Sequence, residues 1–321
     1  MSKKSNPHDD IIIPSAGDSV KSLQDTIAGI ARHKTLAEKI QYALADYYRR
    51  KEKWEKAHWL PQCGSWLQWR QYTDPNKTAV LTAANYCHHA LCPICAWRRH
   101  AKYGAIFSRA LEGMNNLYMV TMTVDNTPTI TREQLQDIIK KSTAMLRSLK
   151  CSDYIANIEI TYSDKKGFHP HVHAIVQQKY WSPWIISRNM AEWRRKWGQK
   201  MGGKHGYNII RIDPINDTTS SVAEVTKYLC KPITKAENLQ SVMDVLIPAV
   251  RRVRQIRTAG EMKKRILQAK IDTENDRWDE ECELKKYDWY EVISQWINGQ
   301  YVSFVPSRVG VEICGANTTR P

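Results

Sequence analysis

The segment Phe168-His-Pro-His-Val-His-Ala-Ile-Val176 constrains this chain more than any other stretch. In an extended chain, side chains two apart share a face. His171 and His173 therefore point one way, while Val172 and Ala174 face the other layer. Two imidazoles on one sheet face can hold one divalent cation. The preceding segment, Glu159-Ile-Thr-Tyr-Ser-Asp164, reads as the partner strand. Lys165-Lys166-Gly167 then closes the hairpin as a three-residue loop, a type I turn followed by a left-handed glycine. Counting back from that loop, Asp164 opposes Phe168 and Glu159 opposes His173. A slip of one residue would turn Glu159 to the wrong face. Two histidines and one carboxylate with open positions make a seat for Mg2+ or Mn2+. A single histidine in a hairpin is usually just half-buried. Three at alternating spacing, with a glutamate across from them, are much rarer by chance.

The cysteines form a second pattern. Of eight, Cys151, Cys230, Cys282 and Cys314 are scattered, whereas Cys63, Cys87, Cys92 and Cys95 cluster. Cys92-Pro-Ile-Cys95 has the spacing that brings two thiolates to one tetrahedral zinc, and Cys87 and Cys63 complete a four-cysteine set. His88 and His89 are spare ligands if Cys63 is not one. A redox C-x-x-C would need a βαβ pattern around it, and none is visible.

Charge and length set the class. The 321 residues suggest about two domains. Lys plus Arg number 48 against 33 acids, a net charge of +15, which points to a polyanion partner, nucleic acid before membrane. No apolar run approaches the roughly 18 residues of a membrane span, and no apolar segment follows Met1 as in a secretory signal. Twelve Trp and fifteen Tyr need a packed interior, which argues against global disorder.

Along the chain, 1–17 reads as disordered within a helical N-terminal arm, 1–56. Two helices are expected in that arm, one capped by Asp18 and one from Thr35. A Cys-rich region, 57–112, ends in a helix opened by Arg98-Arg99-His100. In 113–235, strands are expected at 119–124, 155–162 and 172–176, and helices at 131–149, 184–200 and 221–231. Residues 236–321 read as a helical, basic C-terminal region. Trp193 and Trp197 on the 184–200 helix read as packing rather than as base-stacking platforms.

Ser221-Val-Ala-Glu-Val-Thr-Lys-Tyr-Leu-Cys-Lys231 puts Glu224, Tyr228 and Lys231 on one helix face. Alone, this reads as structure: Ser221-x-x-Glu224 is a capping box, Tyr228 a half-buried anchor and Lys231 a dipole partner. Beside the histidine strand it reads as chemistry. A phenolate attacks phosphorus, Lys231 stabilises the developing charge, and Glu224 activates water or a hydroxyl.

Together these segments resemble the rolling-circle plasmid replication initiators, the Rep proteins of the HUH endonuclease superfamily, over roughly residues 57–265. Leu117–Val124 resembles the family's first motif and Phe168–Val176 its second, with His171 and His173 as the metal pair. Glu224-Val-Thr-Lys-Tyr228 with Lys231 is similar to the third, which carries the nucleophile. The resemblance implies an α+β fold, with a central antiparallel sheet and flanking helices (an HUH/RRM-like nuclease domain), a zinc-binding N-terminal region and a helical C-terminal tail. It implies a metal-dependent nick at the double-strand origin through a phosphotyrosine at Tyr228, with rejoining at termination served by Glu224. Glu159 as third ligand of Mn2+ or Mg2+ rests on the register argument. Cys63, Cys87, Cys92 and Cys95 would hold structural Zn2+. Arg194, Arg195, Lys196, Arg251, Arg252 and Arg254 are the candidates for DNA phosphate contacts. The implied partners are plasmid origin DNA, single-stranded or cruciform, a host helicase and DNA polymerase, and a second copy as a homodimer. The implied location is the bacterial cytoplasm. Other readings remain: an HUH-type transposase or relaxase, a zinc-containing DNA-binding regulator that does not nick, and a histidine-triad nucleotide hydrolase, whose histidine pattern Pro170 interrupts.

Overall fold

The computed structural model describes residues 22–179, 181–202, 209–226, 233 and 236–306. It opens with α1 (Leu23–Arg50) and α2 (Trp54–Gln62), then a hairpin of β1 (Trp66–Tyr72) and β2 (Val80–Ala84). Next come α3 (Pro93–Leu111), β3 (Leu117–Thr123), α4 (Arg132–Ser148), β4 (Asp153–Ser163) and β5 (Gly167–Gln177). They are followed by α5 (Pro183–Met201), β6 (Ile210–Pro214), α6 (Thr218–Thr226) and α7 (Leu239–Val250). The last elements are β7 (Ile256–Ala259), α8 (Gly260–Leu284), β8 (Trp289–Ile297) and β9 (Gln300–Phe304). Two antiparallel sheets result, a five-stranded one in the order β6-β3-β5-β4-β7 and a four-stranded one in the order β2-β1-β8-β9. The class is α+β, as the sequence leads one to expect.

The central sheet is two-faced because its long strands alternate. Val120, Met122, Ile158, Ile160, Val172, Ala174 and Val176 line one face and pack under α4, α5, α7 and α1. Trp197 is fully buried there, and its indole N–H donates to Thr123 O at 2.7 Å. Trp193 packs beside it, so both tryptophans are packing residues. On the other face, Leu117, Ile155 and Ile175 meet α3, α6 and α8 through Phe107, Val222, Val225, Met262 and Ile266. The rest of that face carries the histidines.

Three expectations are corrected. The hairpin turn centres on Lys165: Lys166 N–H donates to Ser163 O, and Gly167, with φ +75°, already pairs with Ser163. A Cβ on Gly167 would collide with Thr127 O, so this left-handed position is kept for glycine. Glu159 consequently faces His171, not His173. The displacement is two positions across the ladder, so Glu159 keeps its face. The two N-terminal helices are one, because Ile30, Ala37, Ile40 and Leu44 hold a single buried stripe past Gly29. Its cap is Ser22, while Asp18 lies outside the described residues. The C-terminal region is not wholly helical. β7 extends the central sheet, and β8 pairs with β1 from more than 200 residues away, Trp69 facing Val292. Strands from segments 57–112 and 236–321 therefore share a sheet.

Candidate active site and metal centres

Strands β4 and β5 deliver the first cluster. His171 Nε2 lies 2.9 Å from Glu159 Oε2, and His173 Nε2 lies 3.4 Å from the same oxygen. Glu159 is fully buried and both imidazoles nearly so. The ring orientations are set from behind. His171 Nδ1 lies 3.2 Å from His169 O, an acceptor only, so Nδ1 carries the proton and donates. With Nδ1 donating, Nε2 faces the Glu159 carboxylate oxygen, and such a contact is held by either a proton or a metal cation between the two atoms. His173 Nδ1 rests 3.3 Å from Thr121 Oγ1 on β3. Its Nε2 is buried without a hydrogen bond, although carboxylate oxygens lie on two sides. Ligand atoms of Glu159, His171 and His173 all fall within 4.8 Å of one another. This imidazole and carboxylate set fits a divalent cation, and carbonyl or hydroxyl partners on the far ring nitrogens are what metal-bound histidines use. His169, which could have substituted, contributes its main-chain oxygen instead.

The second carboxylate on His173 comes from α6: Glu224 Oε1 lies 3.3 Å from His173 Nε2. The expected capping box does not form. Asp217 caps this helix, accepting from Thr219 N–H at 2.9 Å and Ser220 N–H at 3.2 Å. Ser221 thus sits inside the helix, and Glu224 leans to the histidines. Val222 and Val225 anchor α6 on the apolar part of the sheet face. Thr226 ends its described part, its hydroxyl 2.8 Å from His100 Nδ1 of α3. Tyr228 and Lys231 lie outside the described residues.

Removing the support behind His173 tests this geometry. Thr121→Val is expected to weaken Mn2+ binding about tenfold, the lower end of the effect of losing such a partner. Calorimetric titration with Mn2+ reads it, and unchanged affinity would show that Thr121 does not orient the ring.

The cysteines form the second cluster. Cys63 ends α2, Cys92 precedes α3, Cys95 sits in its first turn, and Cys87 comes from the loop after β2. Sulfur separations are 3.5 Å for Cys63–Cys95, 3.5 Å for Cys92–Cys63 and 3.7 Å for Cys87–Cys95. A tetrahedral ion with bonds of about 2.3 Å sets sulfurs about 3.8 Å apart. Hydrogen bonds from Cys63, Cys87 and Cys95 pull the Cys92 thiol well below its ordinary range, while those with Cys87, Cys92 and Cys95 push Cys63 up. The set holds one negative charge readily and four only around a cation. His88 is exposed, and His89 is committed elsewhere. Leu91 N–H donates to His89 Nδ1 and Tyr48 Oη meets His89 Nε2, while burial lowers its pKa to about 4. Cys151 is buried alone, its thiol pushed up to about 12 by burial.

The basic candidates are not gathered at the histidines. Arg194 and Arg195 are exposed on α5, Lys196 pairs with Glu192 at 2.6 Å, and Arg251, Arg252 and Arg254 are exposed after α7. Both helices pack on the opposite sheet face. Sequence reasoning put Glu224 with the histidine chemistry but not against His173 in particular, and it missed the Thr121 and His100 contacts; no local pattern announces them.

The chain is 27% identical over 239 residues to "Protein rep" of Streptococcus pneumoniae serotype 2 (strain D39 / NCTC 7466), covering 65% of this chain and 72% of that protein. It is 25% identical over 219 residues to "Protein rep" of Lentilactobacillus hilgardii, covering 60% and 67%. Over 173 residues it is 29% identical to "Protein rep" of a Bacillus species, covering 49% and 53%. No solved structure matches, and among the described residues no helix is long and apolar enough to cross a membrane. A family model described as "Replication protein" matches residues 78–302, from just before β2 into β9, and the chain therefore belongs to the Rep_1 replication protein family.

Proposed function

We propose that this replication protein initiates rolling-circle replication of a plasmid by nicking one strand at the double-strand origin. The observation that carries the reading is the convergence of Glu159, His171 and His173 beneath α6, the helix that leads into Tyr228. The Tyr228 hydroxyl attacks the scissile phosphorus. A Tyr228–phosphorus bond forms, the bond to the 3′ oxygen breaks, and the 3′-hydroxyl leaves with a proton. His171, His173 and Glu159 would hold Mn2+ or Mg2+, which would supply Lewis-acid polarisation of the phosphate oxygens. Lys231 supplies positive charge to the same group, and Glu224 activates water at termination. The freed 3′-hydroxyl primes the host polymerase, with a host helicase opening the duplex, in the bacterial cytoplasm. Arg194, Arg195, Lys196, Arg251, Arg252 and Arg254 bind phosphates of origin DNA, single-stranded or cruciform, and a homodimer could present two such surfaces. Cys63, Cys87, Cys92 and Cys95 hold Zn2+.

Covalent capture tests it. Supercoiled DNA of the protein's own replicon, with Mn2+, is expected to give a detergent-resistant adduct. His171→Ala is expected to lower its rate about 10²–10³-fold, the scale for losing one electrostatic stabiliser of a transition state, while melting stays near wild type. Tight origin binding by the wild type without any adduct would instead identify a regulator that does not nick.

A further inference from the structure

The residue that structure singles out beyond this reading is Lys34. It is 1% exposed, in the middle of α1. Its ammonium donates to Gln41 Oε1 at 2.7 Å, Pro61 O at 2.9 Å and Cys63 O at 3.0 Å. Those bonds use its three protons, but every acceptor is neutral. No carboxylate pairs with it among the described residues, and Glu38, one turn on, accepts instead from Trp296 Nε1 at 2.7 Å. A buried ammonium without a counter-charge is expensive, so such groups are found paired or neutral. The groups whose negative charge favours its ammonium are Cys63, then Glu38, Cys92 and Cys87, so three of the four belong to the cysteine cluster. Gln41, two helical turns from Lys34 on the same face, bridges to it: its side-chain N–H groups reach Cys63 O at 3.1 Å and Cys92 Sγ at 3.5 Å.

We propose that Lys34 is the counter-ion of the four-cysteine centre. The inference rests on reading that centre as a zinc site. Four thiolates around one Zn2+ carry a net charge of −2, and one buried ammonium halves it where the low dielectric makes the attraction strong. Lys34 and Gln41 fasten α1 to the loop and helix ends that carry Cys63 and Cys92. The ion and the N-terminal helix therefore stabilise one another.

The experiment is chelator-driven release of Zn2+ from the full-length protein. Lys34→Met, close in length but uncharged, is expected to release zinc at least about tenfold faster than wild type, the scale of a lost partner behind the ligands. Cobalt-substituted protein reports whether tetrahedral thiolate coordination persists in the variant. Lys34→Gln keeps donors but not charge, and is expected to match Lys34→Met. Release at the wild-type rate by either variant overturns the proposal. Should the variants fail to fold, amide exchange on the wild type decides: stripping zinc is expected to remove protection over residues 30–41, and unchanged protection there overturns the proposal. A wild-type chain that holds no zinc overturns the zinc reading itself, which separates the two failures.

Discussion

Tyr228→Phe is expected to abolish the covalent protein–DNA adduct, lowering nicking by about 10⁴-fold or more, the scale on which enzymes lose rate when a nucleophile is deleted. The change removes one oxygen and leaves the aromatic ring. Origin binding, Mn2+ affinity and melting temperature should therefore stay near wild type. That separation is informative because of where Tyr228 falls. Val222 and Val225 are locked into the core under the central sheet, Glu224 reaches His173, and Thr226 is held by His100. Helix α6 is thus set against the metal ligands up to two residues before the tyrosine. The decisive assay is capture of the adduct by detergent on supercoiled origin DNA, with filter binding alongside. An adduct formed at the wild-type rate by Tyr228→Phe would exclude Tyr228 as the nucleophile while leaving the metal site untouched.

Removing the cysteine-bound ion has the second largest expected effect, and it should reach the active site through α3. That helix begins at Cys92 with no side-chain cap on its first turn, and Cys95 lies in that turn. Five residues past Cys95, His100 meets Thr226, and farther along Phe107 and Ala110 pack in the core shared with Val222 and Val225. Structural zinc sites contribute their binding energy to folding. A loss of several kcal/mol, at about 2–4 °C per kcal/mol, predicts a melting temperature lower by about 10 °C or more in Cys95→Ser or chelated protein. Nicking should fall with it, whereas His171→Ala should lose nicking without the drop in melting temperature. Unchanged melting after zinc loss confirmed by mass would show that the cysteines do not hold the fold together.

Much of the site was legible because it is local. Alternation alone puts His171 and His173 on one face and gives β4 nearly its observed extent, although β5 begins five residues earlier than expected. Parity protects Glu159: the turn moved by one residue, its partner changed from His173 to His171, and its face did not change. The cysteine spacing likewise announces the observed cluster, since two thiols three residues apart at a helix start can reach only a small volume. Glu224 was harder to read. Ser221-x-x-Glu224 satisfies a capping pattern, but Asp217 is the stronger cap, and which one wins depends on where the preceding chain leaves β6.

By itself the sequence determined the periodicities: which side chains share a strand or helix face, which cysteines can meet, and how much charge the surface must carry. Those follow from backbone geometry over a few residues. Only the tertiary structure decided that β8 and β9 complete the sheet begun by β1 and β2, that Glu224 joins the histidines, and that Lys34 lies beside the cysteines. These depend on chain segments tens to hundreds of residues apart, whose pairing is set by burying the faces of whole sheets and helices together.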